Sequence, residues 1–454
     1  MKHLYMSNCT AKEIDHRILK LAWPAILSNI TVPLLGLSDT FISGHLGSDT
    51  YLAAMAVATT MVNSIFWLFG FLRMGTTGLT ATAFGRNDLE TQDIVYGRAM
   101  LIALTAGIIL FGLSYPLYGF MSLIMSPPDE VAQSAFEYFF VIMTGAPATL
   151  GIMASTGRLI GRQNTLYPMI ISITVTLLNV ILSLTLVFAV GIGFKGVALG
   201  TTISNWTGLL LALFLVYVEA GKRNCFGNTR SVLSGGAWGR FFKTNGYLFI
   251  RSVCLMIVTF AMTTFASHIS TLALAVNAVI LQLVLLFSYF IDGFAFSGEA
   301  LCGQFYGAFD FSSFRLTVRR LLLIGLLMAA LFALCYGGLG ELLIAFITED
   351  VQVRVAIIHL WPIYTILPLI SYPAFIYDGI FVGIAHTRDM MLSTLTGMIL
   401  FFGIYIAGHY FGMPHTSLTL WISYLIFLLT RGVILSVRLK SVYPSDYSHN
   451  ASGI

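Results

Sequence analysis

The chain has 454 residues, 57% hydrophobic and 10% charged, with a formal net charge of +4. A soluble domain carries roughly 25% charged residues, so the composition excludes a single soluble fold. Apolar runs of about 20 residues, each long enough to cross roughly 30 Å of hydrocarbon, recur along almost the whole length; they are continuous rather than alternating, which favours helices over barrel strands.

The expected fold class is therefore an all-α integral membrane protein with about twelve transmembrane helices. The chain begins with a polar stretch holding Lys2, Lys12, Glu13, Asp15 and Arg17, read as a retained start and not as a cleavable signal peptide. Spans are expected at 18–44, 52–83, 94–122, 131–156, 167–191, 196–219, 244–267, 272–304, 316–343, 354–380, 390–411 and 416–437. With an even number of spans both termini share one side. That side collects nearly all of the 24 basic residues, Lys195 and Arg354 falling opposite and Arg73 and Arg251 within spans. The asymmetry predicts cytoplasmic termini and makes nucleic acid a poor partner for the basic balance.

The first span carries a carboxylate, Asp39, with Pro24 and Pro33 ahead of it. A charge near the centre of a membrane helix costs about 2.5–3.5 kcal/mol on insertion scales, so a function or a polar partner has to offset it. Desolvation favours the neutral form of a carboxyl group, which suits Asp39 to carry a proton; the alternative is a structural Asp bonded to a nearby Asn, Ser or Thr. Each proline removes a backbone donor and favours a bend, either a gating bend or a static kink. In the second span Arg73 reads as one side of a structural ion pair, or as a base reaching towards the cytoplasmic face.

The chain is duplicated at an offset of 222. Gly85 and Gly307, Asp88 and Asp310, Arg98 and Arg320, Gly157 and Gly379, and Gly161 and Gly383 all share it. The Gly157/Gly161 and Gly379/Gly383 pairs read as close helix packing. The expected domains are an amino-terminal six-helix lobe over 1–220, a polar, Gly-rich cytoplasmic linker over 221–243, and a carboxy-terminal six-helix lobe over 244–454. Two parallel repeats form the layout of an alternating-access transporter; no nucleotide-binding motif accompanies them.

The second lobe does not copy Asp39, whose repeat position is Ala261. It carries Asp292 and Glu299, seven residues or about two helical turns apart, and Asp378. These acids read as a cation site or as polar groups that hold helices together through Arg or amide partners. Neither the five cysteines nor the nine histidines show metal-ligand spacing, and His45, His268, His409 and His415 read as solvated outer surface. An enzyme would need a nucleophile, metal or acid–base pair, and nothing activates Asp292 and Glu299, so no catalytic role is expected.

The stretches "WPAILSNITVPLLGLSDTFISGHLG", "FLRMGTTGLTATAFG", "IDGFAFSGEALCGQFYGA" and "YDGIFVGIAHTRDMM" resemble the multidrug and toxic compound extrusion (MATE) family, within it the bacterial DinF subfamily, over essentially the full chain. The resemblance implies twelve helices in two six-helix lobes arranged in a V, exporting cationic or amphipathic drugs against a proton or sodium gradient. Asp39 matches the family's first-helix acid and Pro24 the proline that bends that helix. Asn179 in "LLNVILS" and Thr201 in "GVALGTT" match polar residues of the same pocket. The subfamily pattern places an Asp four residues after the asparagine; here that residue is Ser183, which puts a relay between two acids in doubt.

The function implied is a secondary exporter, an antiporter of H+ and an organic cation working by alternating access. Sodium coupling is the first alternative and a lipid-linked precursor flippase the second, although the mainly acidic midplane suits cationic cargo better than phosphates. The implied setting is the bacterial cytoplasmic membrane. The implied chain is a monomer in contact with lipid, taking small amphipathic or cationic drugs, with H+ or Na+ as coupling ion and no other cofactor.

Overall fold

The computed structural model describes residues 9–46, 49–233, 238–410 and 416–443, leaving undescribed the side chains of Val32, Thr229, His409 and Tyr410. His415 and the side chain of His409 thus lie outside the described residues. Every described element is helical. In chain order α1 spans Ala11–Gly44, α2 Asp49–Leu68, α3 Phe71–Gly85, α4 Leu89–Gly112, α5 Ser114–Met125 and α6 Asp129–Thr144. Next come α7 at Ala146–Gly161, α8 at Leu166–Leu184, α9 at Phe194–Glu219 and the short α10 at Thr229–Leu233. The remainder is α11 (Trp238–Ile269), α12 (Thr271–Gly307), α13 (Phe311–Ile347), α14 (Val351–Ile358), α15 (Trp361–Gly383), α16 (Thr387–Tyr410) and α17 (Ser417–Leu439).

Among the described residues, eleven helical stretches are long and apolar enough to cross a membrane, or twelve if α6 and α7, bent by 48°, are one span. The count agrees with hydropathy; the breaks inside spans are new. The fourth span divides at Gly145, just before Ala146–Pro147, where a proline can start a helix but not continue one. The tenth divides into α14 and α15 at His359–Leu360, with Pro362 opening the second piece. The third bends at Leu113 into α5, and the fifth ends in a π turn at Thr185–Ala189.

The described chain forms two compact units, one of Trp23–Asn245 and the other of Met1–Ala22 with Gly246–Ile454. This division differs from the boundaries expected at 220 and 244. Residues 221–233 pack on the first unit: Phe226 stacks on Tyr96, and Gly227, with φ of +71°, lies against Ile94. Asp93 anchors the segment, accepting from Arg223 and from Arg158, whose Nη2 is 2.9 Å from Oδ1. Residues 238–243 are already helical.

The duplication is written into the backbone. Asn87 and Phe309 take φ of 55° and 60°, and Gln163 and Ala385 take 63° and 57°, each pair 222 residues apart. Asp88 caps α4 through the Thr91 amide, and Asp310 caps α13 through the Ser313 amide. The glycine pairs also repeat. A Cβ on Gly161 would stand 2.7 Å from the Thr77 carbonyl oxygen, and one on Gly383 would stand 2.5 Å from that of Glu299. Small residues let these backbones touch.

Candidate functional site

In the first unit, Asp39 projects from the second half of α1 and is 5% exposed. Asn179 of α8 and Thr201 of α9 neighbour its carboxylate. Asn179 Nδ2 donates to Thr201 Oγ1 at 2.7 Å, and Thr201 Oγ1 donates to the Val197 carbonyl at 3.1 Å. Ser183 is fully buried one turn beyond Asn179, its hydroxyl 3.4 Å from the same carbonyl. The structure thus places Asp39, Asn179, Ser183 and Thr201 in one buried polar region.

Two acceptors in that region lack donors: Asp39 Oδ1 and Asn179 Oδ1 are buried without a hydrogen bond. Among the described residues no basic side chain forms an ion pair with Asp39. Leaving a carboxylate charged there would cost several kcal/mol, of order 2–7 even for a neutral polar group without a partner. A proton on Asp39 converts one orphan acceptor into a donor.

Tyr138 of α6 also belongs to the site. It is 3% exposed and lies in the field of Asp39, with Thr59 of α2 and Thr201 around its hydroxyl. Sequence reasoning missed both Tyr138 and Thr59. A hydroxyl in a span carries no charge to mark it, so the available signal was no more than a Tyr within an otherwise apolar helical face.

The middle of the same helix lines a cavity of about 280 Å³. Ser28, Thr31 and Leu35 of α1 face Thr149, Ser172 and Asn205 across it, and its lining carries no charge. The Thr31 hydroxyl donates to the Ser28 carbonyl at 2.6 Å and meets the Ser172 hydroxyl. Pro24 lies within α1 one turn before this stretch and Pro33 lies inside it, so the cavity wall includes a residue with no amide to donate. Arg73 sits half-buried on α3, its carbonyl accepting from Thr77 at 2.9 Å.

The second unit is arranged differently. Asp378 of α15 is buried and accepts from both Arg251 of α11 and Arg431 of α17. Asp292 accepts from Ser288 on its own helix at 3.0 Å. Glu299 is 2% exposed, on the stretch of α12 crossed by Gly383. Among the described residues no three acids, histidines or cysteines are grouped to hold a metal ion. Arg partners are what holds Asp378.

Two helical lobes built on one repeat, with a buried carboxylate and a cavity on the same proline-bearing helix, make the architecture of a membrane transporter. The MatE family model matches residues 24–185 and again 248–407. The chain belongs to this multidrug and toxic compound extrusion family. Among curated relatives, it is 32% identical to DNA damage-inducible protein F of Escherichia coli (strain K12), over 93% of this chain and 91% of the relative. It is 24% identical to Multidrug and toxin extrusion protein 1 of Danio rerio, over 92% of this chain and 68% of that one. Among solved structures, that of a MATE protein in the bent conformation superposes with a TM-score of 0.85 at 16% identity, covering 96% of this chain and 98% of the other.

Proposed function

We propose that the chain is a proton-driven exporter of amphipathic organic cations, with Asp39 as the group that exchanges the proton. The observation that carries this reading is the buried Asp39 carboxylate, whose Oδ1 lacks a hydrogen bond and whose side-chain neighbours are the uncharged Asn179 and Thr201. Protonation removes a buried charge; deprotonation restores its cost. A two-state element biased by several kcal/mol in this way is what a coupling switch requires.

The element is α1. Its prolines leave it free to bend, and the wall it gives to the 280 Å³ cavity moves with it. In the proposed cycle a proton from the outer side neutralises Asp39, α1 bends, the cavity contracts and its occupant leaves outward. Release of the proton to the cytoplasm reopens the cavity. One proton crossing 100 mV supplies about 2.3 kcal/mol. The uncharged hydroxyl and apolar lining suits the body of an amphipathic molecule, and the anionic form of Asp39 favours a cationic head. The names of the relatives, a multidrug and toxin extrusion protein among them, support drug cargo.

Proton coupling is favoured over sodium coupling in the second unit because two guanidinium groups already occupy Asp378, whereas a hard cation needs several free oxygens. The same reading places the chain in the bacterial cytoplasmic membrane as a monomer with cytoplasmic termini. Efflux of a fluorescent organic cation from proteoliposomes, under separately imposed proton and sodium gradients, tests it. Wild-type protein should respond to the proton gradient alone, and Asp39→Asn should abolish that response at normal incorporation. Proton-driven efflux retained by Asp39→Asn would remove Asp39 from the mechanism.

A further inference from the structure

We propose that Arg98 and Arg320 are positioning residues for the transport cycle, Arg320 clasping the leading turns of α1 and Arg98 clasping α10 and the first residue of α11, the segment that leads into the second repeat. Bending of the two connecting helices is thereby confined to Trp23–Pro24 and Asn245–Gly246. The inference rests on the transport reading.

The first twelve residues of α1 belong to the second unit and the rest to the first. The first eight residues of α11 belong to the first unit and the rest to the second. The two crossing points, after Ala22 and after Asn245, lie 223 residues apart, one off the repeat spacing. Each lobe therefore begins with a helix whose leading turns are built into the opposite unit.

The start of α1 and the α10 segment with Trp238 that leads into α11 are held by repeat-equivalent residues. On α13, Arg320 Nε donates to Asp15 Oδ1 at 2.6 Å and Nη2 pairs with Oδ2, a two-pronged grip on α1. On α4, Arg98 Nε donates to the Val232 carbonyl at 3.0 Å and Nη2 to the Ser231 carbonyl at 3.1 Å, with the guanidinium 5.2 Å from the centre of the Trp238 ring. Arg98 and Arg320 are 222 residues apart. A second pair shares that spacing. Ser297 donates to the Ile18 carbonyl at 3.0 Å, while at position 75 a glycine makes room for Asn245, whose Oδ1 would stand 2.1 Å from a Cβ there. Ile14 and Ile18 are fully buried on one segment and Phe241 is buried on the other.

Beyond each grip the helix is weak. Pro24 follows the first crossing and supplies no amide donor. Gly246 follows the second, where a Cβ would meet nothing within 4 Å, and glycine is the least constrained residue in a helix. Relative movement of the units has to be absorbed where a helix passes from one to the other, and clasped segments leave these two places to absorb it.

Asp15 and Arg320 are the pair to test, because their side chains are 25% and 30% exposed and tolerate exchange without burying a charge. Amide hydrogen exchange over residues 11–22 and drug efflux are measured together for wild type, Arg320→Ala, Asp15→Arg and the swapped Asp15→Arg/Arg320→Asp. Each single variant is expected to speed exchange of the segment and slow efflux by about fivefold, the scale of a half-buried bidentate pair, at unchanged drug affinity. The swap is expected to restore both. Single variants that export at the wild-type rate, or a swap no better than the single variants, overturn the proposal. A wild-type protein that exports none of the compounds sinks the transport reading instead, and the exchange data still decide whether the clasp exists.

Discussion

Asn179 reaches Thr201 across the α8–α9 contact with a 2.7 Å hydrogen bond, and Thr201 passes the interaction on to the Val197 carbonyl. This two-step chain fixes the amide so that its oxygen, Oδ1, is left as a buried acceptor in the neighbourhood of Asp39. Removing the amide leaves the carboxyl without its organised neighbour. Asn179→Ala is expected to slow proton-driven efflux by about tenfold, the equivalent of one buried hydrogen bond. Thr201→Val should cost less, because it removes the support and not the acceptor. The double variant should be no slower than Asn179→Ala, since residues of one network do not add. Initial efflux rates in proteoliposomes at matched protein content check all three.

The span count, the duplication and Asp39 were legible in the sequence because each leaves a one-dimensional mark: a run of apolar residues, a fixed offset, a charge where charge is costly. The partners of those groups left no such mark. Arg98, Arg158 and Arg223 counted as topology markers, yet Arg158 is fully buried on Asp93 and Arg98 is 3% exposed on backbone carbonyls. Hydropathy records how long a helix is and says nothing of which lobe its first turns join, so the reach of α1 and α11 into the opposite units was invisible. Asp378 read equally as a cation-site acid or as a group with Arg or amide partners, and the sequence could not choose because its two guanidinium partners lie 127 and 53 residues away in the chain.

The glycines at the α3–α7 crossing and its repeat, α12–α15, should be intolerant of a single methyl group. A Cβ at Gly157 would stand 2.5 Å from the Arg73 carbonyl oxygen, and one at Gly379 would stand 2.3 Å from that of Ala295. Both contacts are to backbone, which cannot rotate away, so whole helices have to part. Gly157→Ala and Gly379→Ala are each expected to lose about 1–3 kcal/mol, the usual cost of overpacking, and to melt several degrees lower in detergent. Gly403→Ala, where a Cβ meets nothing within 4 Å, should melt at or above the wild-type temperature because alanine favours helix.

Asp93 offers a contrast within one cluster. Its Oδ1 holds Arg158, whose side chain is fully buried, while its Oδ2 pairs with Arg223, whose side chain is 37% exposed. Asp93→Ala strands a buried guanidinium and should cost about 3–5 kcal/mol. Arg223→Ala breaks a pair that water can replace and should cost no more than about 1 kcal/mol. Thermal unfolding of the two variants side by side reads the difference, and equal losses would mean that Arg158 finds another partner.

The arginine pair on Asp378 separates a structural acid from a coupling acid. Asp378→Ala leaves Arg251 and Arg431 facing each other with their shared counter-charge gone, both side chains being at most 6% exposed. The loss expected is again about 3–5 kcal/mol, seen as poor expression and early melting, because an unpaired buried charge is far costlier than no charge at all. Replacing the whole set, Asp378→Leu with Arg251→Met and Arg431→Met, removes three buried charges together and should recover most of that stability, as apolar replacements of buried ion pairs often do. If Asp378 served as a coupling site, this triple variant would fold and fail to export. The proposed assignment of the coupling proton to Asp39 predicts that it folds and keeps proton-driven efflux within about twofold of wild type. Efflux lost in a well-folded triple variant would return the acid of α15 to the mechanism.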